Sequence, residues 1–255
     1  MEEKALRLSA VFLMILTAVS FVLLPKLPAL HTWEVEAREE RIAEEEFAQS
    51  QVTMQNLKIK EQNEAAGAKG ELSIRLPEGV TGDQIAVSND YVTQTIRVEI
   101  PQADRTYFDS YPVLGNSDYI DGLSYTRQGE MGVIEVTTNK VYELQTEYDA
   151  QNFYFNFLTP HEVYDKVVVI DAGHGGRAVG ANKQGINEKD IDLAIVLKLK
   201  EIFDNSDQNI GVYYTRTDDS NPTFDQRVQL ANKSDADLFI SIHNNSTRSG
   251  RMSGT

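Results

Sequence analysis

The sequence predicts a composite chain. An α/β C-terminal half-domain with an incomplete parallel sheet is preceded by a small all-β domain, and an N-terminal transmembrane helix and a helical stalk precede both. Three observations predict this. Residues 8–24 run for 17 positions without a charge. Residues 70–160 break into short alternating segments separated by turn residues. Beyond residue 166, branched apolar runs alternate with helix-like stretches, an order that implies parallel strands joined by right-handed crossovers.

Residues 1–32 read as a membrane anchor. Extended back to Ala5, the apolar run reaches roughly the ~20 residues that a bilayer core demands, and Pro25 and Lys26 close it. Lys4 and Arg7 precede it and acidic residues follow, which places the N-terminus in the cytoplasm and the C-terminal bulk outside. The expected localisation is therefore the cell membrane, single-pass and extracytoplasmic. A signal peptide cut near Ala18-Val19-Ser20, giving a secreted chain, is the alternative. Residues 33–69 are rich in Glu, Ala and Gln, with no Pro or Gly before Gly67. They read as a charged helical stalk, with a short coiled coil as the other reading.

Residues 70–160 carry the alternating segments Leu72-Ser-Ile74-Arg-Leu76, Ile96-Arg-Val98-Glu-Ile100 and Phe153-Tyr-Phe155-Asn-Phe157. Turn residues such as Pro77-Glu-Gly79 and Gly115-Asn-Ser-Asp118 separate them. This texture predicts a small β-sandwich or open barrel. No convergent set of titratable residues marks it as a place of chemistry.

Residues 166–255 form the chemical half. Val167-Val-Val-Ile170 reads as a strand buried on both faces, and Asp171-Ala-Gly-His174-Gly-Gly176 ends it in a loop. Residues 188–203 follow with a helical pattern in which Ile191, Ala194, Ile195, Lys198, Leu199 and Ile202 keep i, i+3, i+4 spacing, an amphipathic face against a sheet. A strand over 210–215, a helix over 223–232 and a strand over 237–242 complete the order, and His243 follows the last strand. Parallel strands present their C-terminal loops at one edge, where open α/β sheets bind ligands. His174, His243 and Glu188, which opens the first helix, are thus expected to meet there.

Composition narrows the chemistry. A net charge of -15 argues against a nucleic-acid partner. The chain has no cysteine, so thiolate zinc sites and cysteine nucleophiles are excluded and any metal is held by His and carboxylate. Two imidazoles and a carboxylate suit a catalytic Zn²⁺ and leave a fourth position for water. Each residue also has a plainer reading. His174 can be a turn residue or a phosphate contact, His243 can cap a strand, and Glu188 can simply suit a helix N-terminus. Asp171 reads equally as a residue that fixes its loop. His31 and His161 lie in linker contexts.

IDAGHGG, then NEKDIDLAIVLKLKEIF, YYTR, RVQLAN and ADLFISIHNN resemble the zinc-dependent N-acetylmuramoyl-L-alanine amidases of the Amidase_3 type. The resemblance covers residues 166–255. It implies Zn²⁺ on His174, Glu188 and His243, peptidoglycan as partner, and hydrolysis of the amide between N-acetylmuramic acid and L-alanine. The β domain is similar, in texture and chain order alone, to the AMIN-type modules that precede such domains. The family's general-base Glu lies after its second His, in a continuation expected beyond Thr255. No catalytic base is therefore assigned here, and the domain is read as truncated. The alternative is a non-catalytic peptidoglycan-binding or regulatory protein anchored in the membrane.

Overall fold

The computed structural model describes residues 35, 37–46, 55–61 and 69–244. The first helical segment, α1, covers residues 37–46. The strands that follow are β1 (Gln55–Asn56), β2 (Lys60–Glu61), β3 (Leu72–Arg75), β4 (Ala86–Asp90) and β5 (Thr95–Pro101). After α2 (Arg105–Ser110) come β6 (Leu114–Gly115), β7 (Ile120–Gln128), β8 (Met131–Thr138), β9 (Glu143–Tyr148) and β10 (Asn152–Leu158). They make two five-stranded sheets, ordered β1-β7-β8-β5-β4 and β2-β6-β3-β10-β9. The alternating segments drive this arrangement. Ile96, Val98 and Ile100 of β5 are buried while their neighbours are not, and Phe153, Phe155 and Phe157 of β10 follow the same rule. The two stripes meet in one core with Leu72, Ile74, Ile134 and Val136.

A short helix, α3 (Pro160–Val163), leads into β11 (Lys166–Ala172). Thr159 and Glu162 form a capping box at its start, with Pro160 at the first helical position. The hairpin β12 (Asn182–Lys183) and β13 (Ile186–Asn187) delivers α4 (Glu188–Asp204). Then come β14 (Ile210–Tyr214), α5 (Phe224–Lys233) and β15 (Leu238–Ile242). β11 is the middle strand of a three-stranded sheet and pairs in parallel with β14 and β15. On one face, Ile170 and Ala172 pack on Val196, Leu199 and Phe203 of α4. On the other, Val167 and Val169 pack with Leu230 of α5, Tyr213, and Val141 and Tyr91 of the β region. A polar joint crosses the same contact. Glu143 accepts hydrogen bonds from Tyr91 Oη (2.9 Å) and Tyr213 Oη (2.6 Å).

The expected fold class is corrected on several counts. Among the described residues no helix is long and apolar enough to cross a membrane. The apolar run at residues 8–24 lies outside the described residues. The charged segment is not a solvated stalk either. Its described helix spans 37–46 and binds the C-terminal half through Glu39, Glu40, Glu45 and Glu46, while β1 and β2 join the two β sheets. The β region is not all-β, because α2 closes on its core through Phe108, and β2–β6 is a parallel pair in an otherwise antiparallel sheet.

The helix after the first α/β strand is also turned from its expected face. Glu188, Asp192 and Val196 are buried, whereas Ile191, Ile195 and Ile202 are 38%, 39% and 59% exposed. A stripe at i, i+4 and i+8 that begins with two carboxylates faces inward because the sheet edge offers those carboxylates partners. Periodicity read from apolar residues alone cannot see that.

Candidate metal centre

Backbone geometry at the end of β11 builds the site. Gly173 N–H donates to Ile242 O (3.0 Å), which carries the β11–β15 pairing one residue past the strand. The chain then turns through His174 at φ 59°, Gly175 at φ 134° and Gly176 at φ 52°. A left-handed non-glycine residue is uncommon and costs energy, so its position must be imposed by neighbours. Arg216 and Arg227 impose it. Arg216 donates to Ala172 O (3.0 Å), Gly173 O (2.6 Å) and Lys189 O (3.0 Å). Arg227 donates to Ala172 O (2.7 Å) and His174 O (2.8 Å). Asp171 anchors Arg227 from below at 2.6 Å and also accepts from Thr215 and Ser241. It therefore fixes the loop through side chains, not through backbone N–H groups, and stays out of the cluster itself.

Three donor atoms converge above this frame. His174 Nε2 stands 3.3 Å from Glu188 Oε1, His243 Nδ1 stands 3.4 Å from the same oxygen, and the two ring nitrogens are 3.2 Å apart. Donors ~2.0–2.1 Å from a shared tetrahedral centre stand about 3.3–3.4 Å from one another, so the triangle fits a tetrahedral metal with one vertex left open. Two glycines leave room for the rings. A Cβ on Gly173 would overlap the His243 ring, and one on Gly180 would sit 2.6 Å from His174 Cδ2. Glu188 is oriented by the backbone, its Oε2 accepting from Ala181 N (2.8 Å) and its Oε1 from Asn244 N (2.7 Å).

Electrostatics match the geometry. Burial alone would raise the Glu188 carboxyl, but hydrogen bonds from His174, His243 and the two backbone N–H groups hold it well below the usual carboxylate range. Burial would lower the His174 imidazole, and Glu188 and Glu39 outweigh it, lifting it to about 9. Asp192, one turn after Glu188, belongs to the same cluster of possible ligands. Its burial and the neighbouring Glu188 charge push it up to about 6. Asn244 donates to its Oδ1 (2.6 Å), while its Oδ2 is buried without a partner among the described residues. His161 is elsewhere, bonded to Asp235 O (2.9 Å), and His31 lies outside the described residues.

Residues 168–255 match the Amidase_3 family model, N-acetylmuramoyl-L-alanine amidase. The amidase-matching segment is similar to the endolysin of Bacillus phage SPP1, at 45% identity over 86 residues, covering 34% of this chain and 31% of that protein. It is similar to the N-acetylmuramoyl-L-alanine amidase CwlM of Bacillus licheniformis, at 41% identity over 78 residues, covering 31% of each. Among solved structures it aligns with the catalytic domain of CwlV, the amidase of Bacillus (Paenibacillus) polymyxa var. colistinus. That alignment has 41% identity, a TM-score of 0.31, and covers 32% of this chain and 47% of that one. The chain spans about a third of the length of these curated relatives. The triangle of His174, Glu188 and His243 lies within the amidase-matching segment.

Residue spacing had not singled out Asp192, Arg216, Arg227 or Glu39. Asp192 carried a usable signal, since Glu188 and Asp192 stand at i and i+4 on one helix face. Glu39 carried none, because it is 135 residues from His174.

Proposed function

We propose that the C-terminal segment is a zinc amidase that hydrolyses the bond between N-acetylmuramic acid and L-alanine in peptidoglycan, acting outside the cytoplasm where that substrate lies. The observation that carries the reading is the triangle of His174 Nε2, His243 Nδ1 and Glu188 Oε1, with 3.2–3.4 Å edges, inside the amidase-matching segment. Two nitrogens and one carboxylate oxygen, in a chain without cysteine, suit Zn²⁺. When bound, zinc supplies Lewis-acid polarisation of the substrate carbonyl and lowers the pKa of water to about 7.

The chain's own residues set the conditions. Glu188 would offer Oε1 to the metal, its carboxylate being fixed by Ala181 N–H on Oε2 and Asn244 N–H on Oε1. The His243 side chain is 41% exposed while that of His174 is 12% exposed. Arg216 and Arg227 hold the loop carbonyls, which fixes the backbone from which the His174 side chain projects.

The protein as the cell makes it, incubated with purified sacculi, is expected to release stem peptides with a free N-terminal L-alanine. A chelator should stop the release and added zinc should restore it. His174→Ala and His243→Ala should each reduce it to background. Undiminished release by both variants, or release indifferent to the chelator, would overturn the proposal.

A further inference from the structure

Helix α1 brings a second carboxylate to the candidate metal ligand His174. Glu39 Oε2 lies 2.9 Å from His174 Nδ1, the ring nitrogen opposite the one that faces Glu188 and His243. Both partners are largely shielded, with side chains 24% and 12% exposed. The helix is docked by specific contacts along one face. Glu39, Ala43 and Glu46 stand at i, i+4 and i+7. Ala43 is 2% exposed, and its small side chain lets the helix approach closely. Glu46 accepts from Arg177 Nε (2.9 Å) in the loop after His174. Glu40 accepts from the backbone N–H of Phe224 (2.6 Å), the first residue of α5.

We propose that Glu39 is a positioning residue for His174, carried to the metal site by a helix outside the amidase-matching segment; the inference rests on the zinc reading above. A neutral imidazole has one N–H. A carboxylate at Nδ1 keeps that proton there, which leaves the Nε2 lone pair for the metal and fixes the ring plane. The site is then shared between helix α1 and the amidase-matching segment, and the segment that binds zinc is not self-sufficient in orienting its ligands.

The test uses the whole chain with zinc as probe, competed against a chromophoric chelator. Glu39→Ala is expected to lose about tenfold to a hundredfold in zinc affinity, with the thermal midpoint of the metal-free chain little changed. Glu39→Gln should keep most of the affinity, because its amide oxygen accepts the same Nδ1–H. In the zinc-loaded chain a slowly exchanging His174 ring N–H should appear in wild type and Glu39→Gln and be absent in Glu39→Ala. Zinc affinity of Glu39→Ala within twofold of wild type would overturn the inference. So would a rise in turnover at unchanged affinity, which would make the helix a cover. A wild-type chain that takes up no zinc overturns the metal reading and this inference with it; normal uptake indifferent to Glu39→Ala overturns this one alone.

Discussion

Asp171 is the residue on which the site's scaffold turns, although it touches none of the three donor atoms. It is 3% exposed and meets Arg227, Thr215 and Ser241, which come from α5, the loop after β14, and β15. Burial would raise its carboxyl, but Arg227 and the two hydroxyls outweigh that and hold it below its ordinary value. A folded-state pKa below the unfolded one means that the carboxylate's contribution is complete at neutral pH. It is lost as the pH falls through the folded value. Asp171→Asn leaves a buried guanidinium without its counter-charge, a change that costs about 3–5 kcal/mol. The urea midpoint at pH 7 should fall accordingly, and the variant's stability should decline less steeply than wild type below about pH 4. Equal midpoints for the two proteins would remove Asp171 from this role.

At the scale of elements, α5 matters because it carries Arg227 one turn in from its start. Thr223 Oγ1 accepts from Gln226 N (3.1 Å) and Gln226 Oε1 accepts from Thr223 N (2.8 Å), a closed capping box. Thr223→Ala should cost about 1 kcal/mol, read as a shifted denaturant midpoint with an unchanged slope; no shift would mean that Glu40 alone satisfies the helix start. The helix over 223–232 is readable in the sequence, and so is the strand that leads to His174. Helical crossovers explain why the loops carrying His174 and His243 share an edge. Two things were not readable. The inward face of α4 is led by Glu188 and Asp192, and apolar periodicity points instead to Ile191, Ile195 and Ile202, which are exposed. The Glu39 contact depends on how segments 135 residues apart come together, and no local pattern encodes that. The arginine clamp was visible as residues but not as a role, because guanidinium-to-carbonyl bonds become apparent only when the loop's backbone is in place.

Across the whole molecule, the β region and the parallel sheet meet through a small apolar cluster, the Glu143 hydrogen bonds and a backbone bond from Val141 N–H to Lys233 O (3.0 Å). The cluster is Val141, Val167, Val169, Tyr213 and Leu230. Tyr91 and Tyr213 stand edge to face at 4.9 Å between ring centroids, and both hydroxyls end on Glu143. Burial and the Glu143 carboxylate push both phenols up, so each remains a donor across the working pH range. Glu143→Ala removes the shared acceptor and leaves two shielded hydroxyls unpaired, at about 1–3 kcal/mol each. Because those bonds cross between the two parts, the loss falls on their coupling. Wild type is expected to unfold in one calorimetric transition over the described core, and Glu143→Ala in two, with the parallel sheet melting first because its three strands bury less than the ten of the β region. Hydrogen exchange should agree, with β11 amides losing protection in the variant while β8 amides keep theirs. One intact transition in the variant would mean that the apolar cluster and the other contacts between the halves couple them without Glu143, and the polar joint would then be a consequence of their contact instead of its cause.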